Sequence, residues 1–327
     1  MAASQKNIVG EEDIVLSGED IKEMTENTRS FSLALRALYT HKVLDDKSDA
    51  AIKFKDVRDE TAQHANVYAK HVIPETTNFI RSLKDYFVNY TVPFDDWSKM
   101  LPSILIETEA LITDVEKLLD LYHNIMVPLK KCEDKARVIS AEFHILQTKY
   151  EEECKKYERE ADKIKNKYSF QILNRITYPF RTQSVEAKMD LAQKAKARSK
   201  PHKNAAEIVD KTFISKLQKF IASLENISGF FTVTKQDLIS FKDTQKPENR
   251  KKMKQHYDNM NHGASGIKAA CNIFFSSLPA VTTNFDALPI QGSAQRQSQY
   301  VTLEMQPSEI PPQPKYVLLK LSLPENP

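Results

Sequence analysis

The chain has 327 residues, of which 28% are charged and only 6 are glycine. This composition favours helices over glycine-rich turns, and the length suits one large or two ordinary domains. The first residues lack the apolar core of a secretory signal, and no apolar run reaches the roughly 18 residues that a transmembrane helix needs. The 3 cysteines fall within helical patterns and are expected to be reduced and buried. Together these features predict a cytoplasmic protein, either free or peripherally attached to a membrane.

The first two predicted helices follow a polar amino-terminal segment, residues 1–16, that is expected to be flexible. Ser17 can cap the first helix, whose apolar residues recur at coiled-coil spacing. The second helix, from about Ala50 to Tyr90, repeats its apolar residues every eleven positions, which predicts a nearly straight rod. Pro74 removes one backbone hydrogen bond and predicts a kink. Trp97, the only tryptophan, lies in the connection from the second helix to the third and is expected to pack where these two helices are joined.

The third predicted helix, Ser103–Tyr168, carries the longest heptad pattern in the chain. At roughly 1.5 Å per residue it would be about 100 Å long, which no compact domain requires. Pro128 is expected to bend this helix without ending it, because the apolar series resumes in phase. The heptad positions are Leu129, Ala136, Phe143, Tyr150, Tyr157 and Ile164, with a second series at Cys132, Ile139 and Leu146.

A basic tip, residues 169–184, joins this helix to the returning chain. Between Lys163 and Lys203 the sequence has 11 basic and 2 acidic residues, a net charge of 11 − 2 = +9. Such a segment attracts anionic surfaces, although a solvated helix face would have the same composition. Aromatic, aliphatic and arginine side chains suit shallow insertion at a bilayer interface, and equally a hydrophobic cluster that closes two antiparallel helices. The residues predicted to contact a membrane or partner are Phe170, Ile172, Leu173, Arg175, Ile176, Phe180 and Arg181.

The chain returns from Val185 in a weakly apolar helix that is predicted to break at 199–201. A broad apolar face follows, which is typical of a helix with neighbours on two sides. The last helix carries two heptad series, one ending at Leu288 and the other at Phe285. Residues 289–327 form a proline-rich tail that is expected to be disordered, with a short apolar segment at 316–323. The sequence therefore predicts an all-α fold, an elongated antiparallel bundle or coiled coil of about five long helices over residues 17–288.

No residue set for catalysis, cofactor binding or a small-molecule substrate is evident. The glycines form no phosphate-binding loop. His64 and His71 share a helix without an obvious third ligand, so no metal site is predicted. Cys132 and His144 do not form a helical pair, and a nucleophile needs a base within hydrogen-bond reach. An enzyme is therefore not expected. Nucleic acid is not an expected partner either, because the aromatic residues gather at the tip instead of interleaving with the basic ones.

With this order of helices, the sequence resembles the soluble form of α-helical pore-forming toxins of the cytolysin A, haemolysin BL and xenorhabdolysin type. In that family a long antiparallel helical tail carries a hairpin head between its two longest helices. The matching parts are the Ser103–Tyr168 helix, the Phe170–Phe180 segment and the Val185–Phe241 return. The resemblance is architectural, spans residues 17–288 and implies a protein that oligomerises on membranes. The tip differs from the strongly apolar head of those toxins because it contains arginines and a proline.

Three functional hypotheses follow. The residues themselves predict a non-enzymatic coiled-coil protein that engages an anionic membrane surface or a protein partner through its tip. The resemblance implies the first alternative, a pore-forming protein that assembles into a homo-oligomer. The second alternative is a cytoskeletal or scaffold protein whose last helix forms an intermolecular coiled coil. The pattern is also similar to BAR-type membrane-curving dimers, although their basic residues would be spread along the rod.

Overall fold

The computed structural model describes residues 18–41, 47–169, 178–244, 250–286 and 288. The chain divides into two units, Met1–Pro289 and Ile290–Pro327, and all described residues belong to the first. Every regular element in these ranges is helical, which confirms the all-α prediction. The predicted flexible amino terminus (residues 1–16) and the proline-rich tail (residues 289–327) lie outside the described residues.

Long helices account for most of the described chain. Their bounds are α1 Gly18–Leu38, α2 Asp49–Val67, α3 Ile73–Tyr86, α4 Phe94–Ser169, α5 Tyr178–Ile208, α6 Ser215–Thr244 and α7 Arg250–Asp286. A π-helical turn, Tyr68–Val72, joins α2 to α3, and a second, Val209–Ile214, joins α5 to α6. A short 3₁₀ segment, Phe87–Thr91, follows α3. Because α2–α3 and α5–α6 are each continuous, the described residues form five long helical segments, as predicted.

Helix α4 packs antiparallel against both continuous segments, α2–α3 and α5–α6. Near its start, Glu109 forms an ion pair with Lys242 of α6 at 2.8 Å. Near its end, Glu160 pairs with Lys188 of α5 at 2.7 Å. As residue numbers rise along α4, those of its partners fall along α5–α6, so the two segments are antiparallel. The helix runs unbroken through Pro128 and begins before the predicted start at Ser103.

The apolar face predicted for the second helical segment is buried. All ten positions of the eleven-residue series in the second helical segment lie in the interior. The core contains a group of contacting aromatic rings in which Phe220 stacks on Phe31 at 4.7 Å and meets Tyr68 edge-on at 5.2 Å between ring centroids. Phe285 packs against the same rings at 6.2–6.3 Å. Four helical segments meet at this group, and aromatic pairs of this kind contribute about 0.5–1.5 kcal/mol beyond their buried area.

Trp97 closes the end of the bundle, as predicted. Its side chain is fully buried, at 0% exposure. Its ring lies 5.7 Å from Tyr90 and 5.4 Å from Tyr257. Phe241 of α6 completes the group at 6.2 Å. We call these residues the aromatic end.

The predicted helix break at residues 199–201 is wrong. Helix α5 continues through Pro201, whose ring is exposed to solvent. The neighbouring side chains hold the helix against α4, because Ser199 donates a hydrogen bond to Glu151 at 3.3 Å and the His202 ring stacks on Tyr150. A proline whose ring faces water loses a backbone hydrogen bond without losing these contacts. The predicted apolar stripe is also narrower here, since Met189 is 44% exposed.

Candidate functional site: a two-helix arm

The multi-helix body ends near the start of α2. There Lys53 forms an ion pair with Glu142 of α4 at 2.9 Å. The ring of Phe54 packs edge-on against Phe213, in the second π-helical turn, at 5.5 Å. Further along, α4 packs on α5. We call this part the arm, and it consists of residues 150–169 of α4 and residues 178–202 of α5.

Burial along α4 shows the loss of neighbours in the arm. The heptad positions Leu129, Ala136 and Phe143 are buried in the body. The next members of the same series, Tyr150 and Tyr157, are only half-buried. The sequence period does not change between these positions, so the difference follows from the number of packing partners. A helix with fewer neighbours buries less apolar area and is held less firmly.

Small residues form the apolar contact within the arm. Cys154 of α4 packs against Ala192 and Ala195 of α5, with Tyr157 at the edge. Alanine side chains allow the two helices to approach closely, but they contribute little buried area. The interior of the arm is therefore much smaller than the aromatic core of the body.

Charged and polar pairs flank this small interface. Lys188 lies 2.7 Å from Glu160 and also over the Tyr157 ring, 5.7 Å from its centroid. The hydrogen bond from Lys188 lowers the pKa of the Glu160 carboxyl. The pKa of Glu151 is also lowered, mainly by the hydrogen bond from Gln147. These groups lie at the surface, where ion pairs contribute little to stability.

The predicted tip lies between the two helices of the arm. Residues 170–177, which include Phe170, Ile172, Leu173, Arg175 and Ile176, lie outside the described residues. Phe180 and Arg181 belong to the first turn of α5, but their side chains also lie outside the description. Their role as contact residues stays a prediction. The chain nevertheless enters this segment from Ser169 and leaves it at Tyr178, so it connects the outer ends of the arm.

Two π-helical turns interrupt the long segments inside the body. In the first, the Ile73 N–H donates to the Tyr68 carbonyl, one residue further back than in an α-helix. This turn lies directly before Pro74, which lacks an N–H and favours such a rearrangement. The second turn, Val209–Ile214, lies at the base of the arm, where Asp210 approaches His144 at 3.2 Å. Turns of this kind frequently occur at functional sites. From the sequence, only Pro74 indicated that a helix would be interrupted at one of these places.

A different group of side chains resembles a metal-binding set. Glu60 and His64 of α2 and Cys132 of α4 each place one ligand atom within 4.8 Å of the other two. Cys132 and His64 are buried, and burial raises the pKa of the Cys132 thiol to about 11. Spacing along one helical segment relates His64 to His71 and Cys132 to His144, so the sequence did not indicate this group, whose members come from two helices. No helix in the described part of the chain is both long enough and apolar enough to cross a bilayer.

In its fold the chain is similar to the helical bundles of tripartite α-pore-forming toxins. The chain is similar to the AhlB pore of the toxin AHL from Aeromonas hydrophila, with a TM-score of 0.55 and 11% identity over 79% of this chain and 99% of that one. It also matches soluble SmhA of the toxin Smh from Serratia marcescens, with a TM-score of 0.49 and 11% identity over 84% of this chain and 95% of that one.

The similarity to the AhlB pore confirms the predicted resemblance in fold. At this level of identity it concerns the fold alone. No protein-family model matches the sequence, and no curated protein matches it.

Proposed function

We propose that this protein is a pore-forming component that engages a membrane through the arm and assembles there with further copies of itself. The observation that supports this proposal most strongly is a bundle similar to a toxin pore subunit, combined with a two-helix arm that leads to residues 170–177. The structures it resembles are described as toxin components, and pore formation was the first alternative from the sequence. The predicted cytoplasmic location stays a prediction.

The weak interface of the arm supports a change of conformation there. Cys154, Ala192 and Ala195 bury little area, and the ion pairs near them are partly exposed, as in Lys188–Glu160, or exposed, as in Lys194–Asp190. Opening this interface therefore costs less free energy than separating the helices of the body. A membrane that binds the tip can compensate that cost by burying its aromatic and aliphatic side chains.

Charge supports the first encounter with a membrane. The region from Lys163 to Lys203 has a net charge of 11 − 2 = +9. An anionic lipid surface attracts basic residues near it by about 1 kcal/mol each, and salt screens this attraction within a Debye length. Association should therefore depend on anionic lipid and decrease at high salt.

A second candidate is peripheral binding without a pore. Arg175, Pro179 and Arg181 favour it, because charges and a proline make the tip less suited to deep insertion than an uninterrupted apolar segment. In this case the same surface would bind lipid headgroups or a protein partner, and the arm would keep its helical pairing.

Vesicle experiments separate these functions. The full chain is mixed with dye-loaded vesicles that contain either anionic or zwitterionic lipid, and both sedimentation and leakage are measured. The test variant combines Phe170→Ser, Ile172→Ser and Phe180→Ser. The control combines Val88→Ser, Met100→Ser and Ile106→Ser, which replaces exposed apolar residues near the aromatic end.

Pore formation predicts leakage from anionic vesicles that the tip variant loses and the control retains. Binding without leakage would overturn the pore proposal and support the peripheral candidate. Binding that the tip variant retains would exclude both uses of the tip. A doubled mass in light scattering, without lipid binding, would favour the scaffold hypothesis.

A further inference from the structure

The Glu60–His64–Cys132 cluster lies where α2 packs against α4, away from the tip. Glu60 and His64 are four residues apart on α2, so they share one face of that helix. Cys132 approaches them from α4, and one ligand atom from each residue lies within 4.8 Å of the others. Carboxylate oxygen, imidazole nitrogen and thiolate sulfur are the three donor types that bind Zn²⁺ in proteins. The cluster thus brings together three ionisable side chains from two helices. Packing of the apolar faces alone does not require them to be close.

We propose that Glu60, His64 and Cys132 bind a divalent transition metal of the Zn²⁺ class in a four-coordinate site, with water as the fourth ligand. Nitrogen and sulfur donors select such ions over Mg²⁺ and Ca²⁺, which prefer oxygen ligands alone. Three protein ligands and one open position form a recognised Zn²⁺ arrangement.

The geometry requires only a small adjustment. Zn²⁺ lies about 2.3 Å from sulfur and about 2.0–2.1 Å from nitrogen, so tetrahedral ligand atoms are about 3.3–3.8 Å apart. Because the ligand atoms of the cluster lie within 4.8 Å of one another, they must move together by roughly 1.5 Å at most. The Glu60 side chain, 33% exposed, can rotate to supply this movement and leaves a route for water. His64 and Cys132 are buried and form the fixed side of the site.

Lys135 competes with the metal for the Glu60 carboxylate. Its Nζ lies 2.6 Å from Oε2 and 2.9 Å from Oε1 of Glu60. On metal binding the Glu60 carboxylate would exchange this ammonium group for the ion. The Cys132 thiol would release its proton to solvent and bind as thiolate, while the imidazole would bind in its neutral form. The ion would then link α2 to α4 within the body.

Cobalt provides a direct test, because a cobalt–thiolate bond gives a charge-transfer band in the near ultraviolet and tetrahedral cobalt absorbs in the visible range. Co²⁺ is titrated into the reduced full chain, and Zn²⁺ is then added in competition. We expect both signals, with Zn²⁺ removing them. Cys132→Ser should abolish the charge-transfer band, and His64→Gln should weaken binding at least about tenfold.

Lys135→Met should have the opposite effect and strengthen binding, since it removes the competing ammonium group. Two matched controls should leave the titration unchanged: Cys271→Ser, at another buried cysteine, and His71→Gln, at an exposed histidine on the same helical segment. The thermal midpoint of the unmodified chain should also rise with Zn²⁺.

Absence of the charge-transfer band in the unmodified chain, or its persistence in Cys132→Ser, would overturn the proposal. If Cys132→Ser does not fold, Glu60→Gln and Lys135→Met decide the matter, because both change side chains at the surface. Weaker binding in Glu60→Gln and tighter binding in Lys135→Met support the site, and unchanged affinity in both refutes it. None of these readouts involves a membrane, so the pore proposal is tested separately.

Discussion

Acid should destabilise the aromatic end through His256. Its ring stacks on Phe241 at 4.4 Å and lies 6.2 Å from Tyr90. Its buried Nε2 makes no hydrogen bond within the part of the chain that the structure describes. Burial therefore lowers the pKa of His256 to about 4. The folded protein holds this imidazole neutral, whereas the unfolded chain protonates it at its ordinary pKa of about 6.5.

The two pKa values determine the sign and size of the effect. Because the pKa of the folded state is the lower one, the associated stability is fully present above about pH 6.5 and is lost as the pH falls towards 4. The complete difference corresponds to about 3 kcal/mol, and about 2 kcal/mol of it is lost between pH 8 and pH 5. Burial also lowers the pKa of His64, which adds destabilisation of the same sign.

Urea unfolding at pH 8 and pH 5 measures this loss. His256→Phe keeps an aromatic ring against Phe241 and removes the titrating group, so it should lose about 2 kcal/mol less than the unmodified chain between these pH values. His71→Gln replaces an exposed histidine and should lose as much as the unmodified chain. An equal loss in His256→Phe and in the unmodified chain would refute the argument.

Three further substitutions probe packing in the body and the arm. Phe220→Ala removes the fully buried ring that stacks on Phe31, and should lower the free energy of unfolding in urea by about 3–5 kcal/mol; a loss below about 1 kcal/mol would contradict its central place in the core. Tyr122→Phe removes a buried hydroxyl 3.1 Å from Thr76 Oγ1 and should cost about 1 kcal/mol in the same assay, whereas a gain in stability would show that this hydrogen bond contributes nothing. Ala195→Leu overfills the interface of the arm and should reduce hydrogen-exchange protection there but not in the core; equal loss in both regions would mean that the arm does not open independently.

The periodicity of apolar residues was sufficient to predict the helices and their buried faces. In the second segment, positions as far apart as Val57 and Tyr90 belong to one series and are all buried, including polar Thr61 and Thr76. Such a pattern determines which side of a helix is covered. It does not determine how many neighbours cover it, and for this reason Tyr157 was predicted in the same way as Leu129 although only Leu129 is buried.

The sequence could not predict how far each helix is shifted along its neighbours. Whether Cys132 lies beside His64 depends on how far α4 slides along α2, and heptad spacing allows several such alignments. The structure fixes one of them through specific pairs, among them Lys53 with Glu142. The metal-like cluster became visible only with that alignment. The break predicted at Pro201 failed for a related reason, because the contacts that hold α5 there come from α4.

The two ends of the bundle are held by different contacts. This difference predicts which end opens first in the proposed change of conformation. At the aromatic end, Tyr90, Trp97, Phe241 and Tyr257 bring large buried rings from four helical segments into contact. Among the described residues of the arm, small side chains and partly exposed ion pairs join α4 to α5. Buried area decides which interface separates first, since each apolar Å² contributes about 25 cal/mol. A membrane that binds the tip, as proposed, would therefore act on the interface that costs least to open, and the body would keep its packing.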